Sequence, residues 1–264
     1  MPQEIFIVDA FTDRIYTGNP AAVCLLEEVH ESQWMQAVAA EMNLSETAFL
    51  RPQGEDGWLL RWFTPKVEVD LCGHATLASA HVLWRERGVD QERLQFQTRS
   101  GPLEAHRTGE IISLDFPADP AVPIESPTGL NEILGVKPET VLQGRYDLLV
   151  VLEDAETVRT LKPDMLRLAK LDVRGVAVTA LSDRPEYDCV SRFFGPRVGI
   201  PEDPVTGSAH CMLAPYWGDR LAKTNLRGYQ ASARGGLVGM YLMGDKVRLE
   251  GRAVTTLRGQ LDAG

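Results

Sequence analysis

Cysteine is scarce in this sequence. Its 264 residues hold four, Cys24, Cys72, Cys189 and Cys211, and no two of them form a C-x-x-C pair. Neither a zinc ribbon nor a dithiol redox motif is indicated, and in a reducing compartment the four are expected as free thiols. Basic residues are also outnumbered: 27 Lys and Arg stand against 37 Asp and Glu, a net charge of -10. Binding to nucleic acid needs a basic surface, so that partner is not expected. A small anionic substrate remains compatible, because a local site can oppose the global field. No apolar run approaches the length of a membrane span. The start, Met1-Pro2-Gln3-Glu4, lacks the basic and apolar stretches of a signal peptide, which points to the cytoplasm. The length suits one large or two modest domains.

One stretch organises the rest. Asp70-Leu71-Cys72-Gly73-His74-Ala75-Thr76-Leu77-Ala78-Ser79-Ala80-His81-Val82-Leu83-Trp84 puts a thiol, a glycine and an imidazole side by side. It then carries no charge until Arg85. The pattern predicts a tight turn feeding a helix that is apolar on every face, and such a helix is buried. Its first turn offers free backbone N–H groups to whatever lies in front, a ready place for a carboxylate. A core helix with a merely polar start fits the same residues.

A second copy favours the site. Arg61-Trp62-Phe63-Thr64-Pro65-Lys66-Val67 leads into the first stretch, and Arg192-Phe193-Phe194-Gly195-Pro196-Arg197-Val198 leads into a run from Gly199 to His210. Arg, Phe, Pro and Val recur at the same offsets. Each copy then reaches a glycine and a polar residue, Gly73-His74 or Gly207-Ser208, followed by an apolar run ending near Trp84 or Trp217. The two glycines lie about half the chain apart. An internal duplication accounts for this, with a ligand held between two helix starts.

In chain order, alternation predicts strands at 5–11, 21–26, 57–63, 94–98, 103–107 and 111–116. Ser32 is a candidate cap for a helix over 33–42, with Trp34, Ala37, Val38 and Met42 on its inner face. The proline-rich segment 117–123 reads as a linker. Beyond it, strands are expected at 146–152, 175–181, 188–194, 230–233, 237–243 and 246–251, a helix at 163–170, and one more strand at 253–259. When the two helix-then-strand units are laid together, Glu46 falls over Gly175. A carboxylate present in one half only is not required by the fold, so Glu46 is a candidate for function, although most glutamates are simply exposed.

These residues resemble the phenazine-biosynthesis isomerase-like (PhzF-like) family, within the diaminopimelate-epimerase fold superfamily. The resemblance rests on Val8-Asp9-Ala10-Phe11 with Gly18-Asn19-Pro20, on Asn43-Leu44-Ser45-Glu46-Thr47, on Cys72-Gly73-His74-Ala75-Thr76, and on Glu202-Asp203-Pro204-Val205-Thr206-Gly207-Ser208-Ala209. It implies an α+β fold of two pseudo-symmetric domains, each a barrel-like, mostly antiparallel sheet around a central buried helix, with the site between them. The expected division is 1–117 and 118–264, the last dozen or so residues being free to pair back onto the first domain. A homodimer with no metal or organic cofactor is implied as well.

Carried over residue by residue, Glu46 resembles the catalytic acid/base. His74, Asp203 and Ser208 match polar site residues, Gly73 and Gly207 match backbone anion-binding positions, and Asn19 is a candidate substrate contact. The implied reaction moves a proton on a small carboxylate-bearing substrate, and one enclosed glutamate could both remove and return it. Superfamily epimerases use two facing cysteines. Here Cys72 holds the first position but Asp203 the second, so an epimerase or racemase would need a mixed Cys72/Asp203 pair. Two other readings are a zinc hydrolase using Cys72, His74, His210 and Cys211, whose Cys-x-His spacing is poor, and a non-catalytic binding protein, in which Glu46 beside a bound anion would gain nothing.

Overall fold

The computed structural model describes residues 2–54 and 57–262. It divides into two compact units, Met1–Asp115 with Glu250–Gly264, and Phe116–Leu249.

The first unit contains β1 (Gln3–Ala10), β2 (Asn19–Leu25), α1 (Ser32–Met42), β3 (Glu46–Gln53), β4 (Gly57–Phe63), a short β5 (Glu68–Val69), α2 (Gly73–His81), β6 (Arg93–Thr98), β7 (Gly101–Thr108) and β8 (Ile111–Pro117). The second contains β9 (Val122–Pro123), α3 (Leu130–Leu134), β10 (Thr140–Gln143), β11 (Asp147–Val151), α4 (Ala155–Thr160), α5 (Met165–Leu168), β12 (Gly175–Leu181), β13 (Cys189–Gly195), β14 (Ile200–Asp203), α6 (Gly207–Leu221), β15 (Asn225–Gln230), β16 (Gly236–Met243) and most of β17 (Lys246–Gly251). The last strand, β18 (Ala253–Leu261), runs antiparallel to β1 and so belongs to the first unit.

The two units repeat one pattern of pairing. In the first, β2 and β3 are parallel, β3 and β4 antiparallel, and β4 and β6 parallel. In the second, β11 and β12 are parallel, β12 and β13 antiparallel, and β13 and β15 parallel. The registers agree too. Ala21 pairs with Glu46 and Thr47 with Phe63, while Asp147 pairs with Gly175 and Val176 with Phe194.

Side chains alternate between the faces of a strand, which separates two layers. Ala22, Cys24, Phe49 and Phe63 pack under α1 with Met35, Val38 and Ala39. Leu148, Val150, Val176, Val178 and Phe194 form the corresponding core with residues of α3, α4 and α5. The opposite faces meet α2 and α6. Every residue of α2 from His74 to His81 is buried, and the helix packs on β1, β2, β3, β7 and β18. Its hydroxyls are satisfied within the helix: Thr76 Oγ1 donates to the Cys72 carbonyl at 2.6 Å and Ser79 Oγ to that of Ala75 at 2.7 Å.

Several expectations need correction. The α1 cap is Glu31, and Ser32 Oγ instead accepts a hydrogen bond from Arg61. Met35, Val38 and Ala39 are the buried residues of α1, whereas Ala37 is exposed. The helix expected at 163–170 is a single turn, and α3 and α4 were not anticipated. The supposed linker contributes β9, which pairs with β10. The strand expected at 230–233 lies earlier, at Asn225–Gln230.

Gly175 has a packing reason. A Cβ built there would lie 2.3 Å from Cζ of the buried Phe193 ring. Gly175→Ala is expected to lower stability by about 1–3 kcal/mol through overpacking. A lower urea midpoint at unchanged slope would show it.

Candidate active site

The site in the first unit starts from strand parity. Asn19 on β2 and Glu46 at the start of β3 lie three residues from Ala22 and Phe49, so they face away from α1 and toward α2. There they meet the first turn of α2. His74 Nε2 lies 3.3 Å from Glu46 Oε2, and His74 Nδ1 lies 3.3 Å from Asn19 Nδ2 and 3.6 Å from Cys72 Sγ. Cys72 is the N-cap residue and Gly73 the first helical residue. Asn19, Cys72 and His74 are buried, and the Glu46 side chain keeps 13% of its exposure.

Burial pushes the His74 imidazole down to a pKa of about 3, so it is neutral at physiological pH. With the Asn19 amide nitrogen facing Nδ1, the consistent tautomer accepts at Nδ1 and carries its proton on Nε2. The glutamate therefore faces a neutral ring, not a cation, and the 3.3 Å approach falls short of hydrogen-bond geometry. A neutral neighbour of this kind does not cancel a carboxylate's charge as a cation would.

The Val8-Asp9-Ala10-Phe11 and Gly18-Asn19-Pro20 motifs form the support for Asn19. Asp9 is buried and accepts from the Tyr16 backbone N–H at 2.7 Å. Phe11 and Tyr16 both have positive φ, at 61° and 67°. Gly18 sits at φ +68°, and a Cβ there would lie 2.2 Å from the Ala10 carbonyl. The loop thus returns the chain tightly from β1 to Asn19.

In the second unit, Asp203 ends β14, and Gly207 and Ser208 open α6. Thr206 Oγ1 donates to Asp203 Oδ2 at 2.5 Å. Gln230, fully buried, fixes the turn between them. Its Oε1 accepts from the Thr206 backbone N–H at 2.8 Å, and its Nε2 donates to the Asp203 carbonyl at 2.7 Å. Ser208 Oγ accepts from Arg174 at 2.8 Å, and the same guanidinium grips both oxygens of buried Asp147. So the register position that holds Glu46 in one unit is bare in the other, and the neighbouring carboxylate there is neutralised by arginine.

The structure brings Asn19, Glu46, Cys72, Gly73 and His74 together in one unit, and Asp203, Gly207 and Ser208 near one another in the other. Thr206, Gln230, Asp147 and Arg174 were missed. Arg174 had a signal, since it precedes the glycine that aligned with Glu46. Gln230 had none. Among the described residues, Glu46, Cys72 and His74 form a set of metal-ligand types, with ligating atoms all within 4.8 Å. Of the other two ligands of the zinc reading, His210 is engaged elsewhere and Cys211 is a buried free thiol. His210 Nδ1 lies 2.8 Å from the Thr206 carbonyl, and its ring edge packs against Gly228. Burial pushes the Cys211 thiol up to about 12. The Cys24 thiol is likewise pushed up to about 12, and that of Cys189 also rises on burial, as inert core residues do.

The sequence profile described as phenazine biosynthesis-like protein matches residues 8–259. The chain belongs to the phenazine biosynthesis-like family. A relative in Halalkalibacterium halodurans, named an uncharacterized isomerase, is 50% identical over 99% of each chain. The crystal structure of a phenazine biosynthesis protein of the PhzF family from Enterococcus faecalis superposes with a TM-score of 0.96 at 44% identity, covering 99% of this chain and 100% of that one. A probable proline racemase from Agrobacterium radiobacter gives a TM-score of 0.66 at 11% identity over 98% and 93% of the chains, a likeness of fold alone. This member of the phenazine biosynthesis-like family is an isomerase with a mixed, sheet-rich α/β fold.

Proposed function

We propose that this isomerase moves a proton on a small carboxylate-bearing substrate, with Glu46 as the group that removes the proton and returns it elsewhere. One observation carries the reading: the Glu46 carboxylate lies 3.3 Å from a buried, neutral imidazole. A base paired with a cation would lose its affinity for a proton, whereas a base beside a neutral ring keeps it. The backbone N–H groups at the start of α2, beside Gly73 and His74, suit a substrate carboxylate or the charge that develops as the proton leaves. His74 and Asn19 position the glutamate. Asp203, Gly207 and Ser208 are assigned to substrate binding, with no metal or organic cofactor in the reaction. A homodimer in the cytoplasm is the assembly and location we assign.

A thermal-shift screen of carboxylate metabolites on wild type and Glu46→Gln tests this. Ligands bound to the native state raise the melting temperature. A compound that stabilises both proteins and is isomerised only by wild type supports the reading; one isomerised equally by both refutes it.

The alternative epimerase reading has its own observation, a thiol 3.6 Å from an imidazole. An adjacent base is how a cysteine nucleophile or base is activated. Yet an imidazole with a pKa of about 3 takes a thiol proton poorly. Cys72→Ala is therefore expected to keep turnover within a few-fold of wild type in a steady-state assay. Loss of turnover on the scale of Glu46→Gln would shift the chemistry to the thiol.

A further inference from the structure

The first unit has a second concave place, at the other end of α2. A groove of about 440 Å³ runs between β18, the β7–β8 hairpin and the turn after α2. That volume is within the range of small-ligand sites, roughly 300–1,000 Å³. The turn is a π turn, Val82–Glu86, in which Arg87 N–H reaches back to the Val82 carbonyl. Such turns are rare and recur at functional sites. His81, the last residue of α2, lies seven residues after His74 and so on the same side of the helix, about 10 Å along its axis.

A polar chain, from buried His81 out to exposed Arg258, closes one wall. Thr255 Oγ1 donates to Glu86 Oε1 at 2.7 Å, so it accepts from His81 Nε2–H at 3.0 Å. Arg258 holds both Glu86 oxygens at 2.7 Å. The remaining charges can be paired off. Arg85 meets Glu110 at 2.7 Å and Arg252 meets Asp13 at 3.5 Å. Arg107 is left over. Its guanidinium lies 5.4 Å from the centroid of the Trp84 ring and gives one N–H to the Asp90 carbonyl at 3.2 Å. Among the described residues no carboxylate lies within ion-pair distance of it. The groove thus carries one uncompensated positive charge, on a fork suited to a carboxylate, beside the partly exposed Ala253 and Val254.

We propose that this groove is a second ligand site, which binds a small organic monocarboxylate through Arg107. The single spare charge selects a monoanion. The fork geometry selects a carboxylate, and the carbon walls take its body. Nothing in the proposed reaction uses these residues.

Benzoate is the probe, with inorganic phosphate beside it. The histidine ring signals of the whole protein are followed by NMR during each titration. Benzoate is expected to shift the His81 signals saturably in wild type. In Arg107→Met the same shift should need at least about tenfold more benzoate. Arg107→Lys, which keeps the charge and loses the fork, should fall between the two and covers the case in which the methionine variant does not fold. Signals of His74 report the candidate active site separately. Benzoate that moves only His74, a His81 response unchanged in both Arg107 variants, or phosphate matching benzoate at His81 would each overturn the proposal.

Discussion

Glu46→Gln is expected to lower turnover by about 10²–10⁴-fold, the usual contribution of a positioned acid/base group. The substitution keeps shape and volume. The new amide fits the same space 3.3 Å from His74 Nε2, where the carboxylate makes no hydrogen bond to the ring, so the fold has no reason to fail. Substrate affinity should therefore change by only a few-fold while kcat collapses, the signature of an interaction needed in the transition state. His74→Asn should cost less, because the imidazole is assigned to orientation and not to proton transfer. If the histidine variant lost more than the glutamate variant, the two roles would have to be exchanged.

Acid sensitivity is the second large effect. Burial pushes His74 down to about 3, and His81 and His210 down to about 4, from an ordinary value of 6.5. Between pH 6.5 and about 4 the unfolded chain takes up protons at these positions and the native state does not. Stability is thus fully present above pH 6.5 and falls as the pH drops toward 4. Each site costs about 1.4 kcal/mol per pH unit in that window, so roughly 2 kcal/mol at pH 5 and about 6 kcal/mol for the three. That is comparable with the whole stability of an ordinary domain. Urea unfolding at pH 7.5, 6 and 5 should show the steep fall. His81→Gln, which can still donate to Thr255, should reduce the slope by about a third. A stability that stayed flat from pH 6.5 to 5 would mean that these imidazoles take up protons in the native state.

What could be read from the sequence follows from what each residue does physically. The central strands β2 and β12 are buried on both faces and read as short, almost wholly apolar runs, which made them legible. β15 was misplaced because its inward positions are Leu226, Gly228 and Gln230, only one of them apolar. Gly228 is inward because a Cβ there would lie 3.0 Å from His210 Cδ2, a tertiary demand that leaves no local pattern. Gln230 is inward because it holds the turn at Asp203 and Thr206. The helices α3, α4 and α5 span four to six residues each, too short for a 3.6-residue period to register.

The same reasoning divides the site. Glu46 stood out because its counterpart is a glycine, and the structure supplies the reason, a Phe193 ring in the space a side chain would need. His74 and Cys72 stood out by adjacency to Gly73. The neutral state of His74 could not be read from sequence, because it depends on enclosure by other strands. The recurrence of one pairing pattern and register in both units fits a duplicated ancestor, with Glu46 kept in one copy and the Asp147–Arg174 pair in the other.

The most direct test is solvent exchange. A carboxylate ligand that stabilises the enzyme is held in deuterated water with wild type or with Glu46→Gln, and its proton spectrum is followed over time. The account predicts that wild type replaces one carbon-bound hydrogen with deuterium and that the Glu46→Gln variant, still binding the ligand, leaves the spectrum unchanged. Exchange at the same rate in both proteins would contradict it, because the proton would then be moving without Glu46.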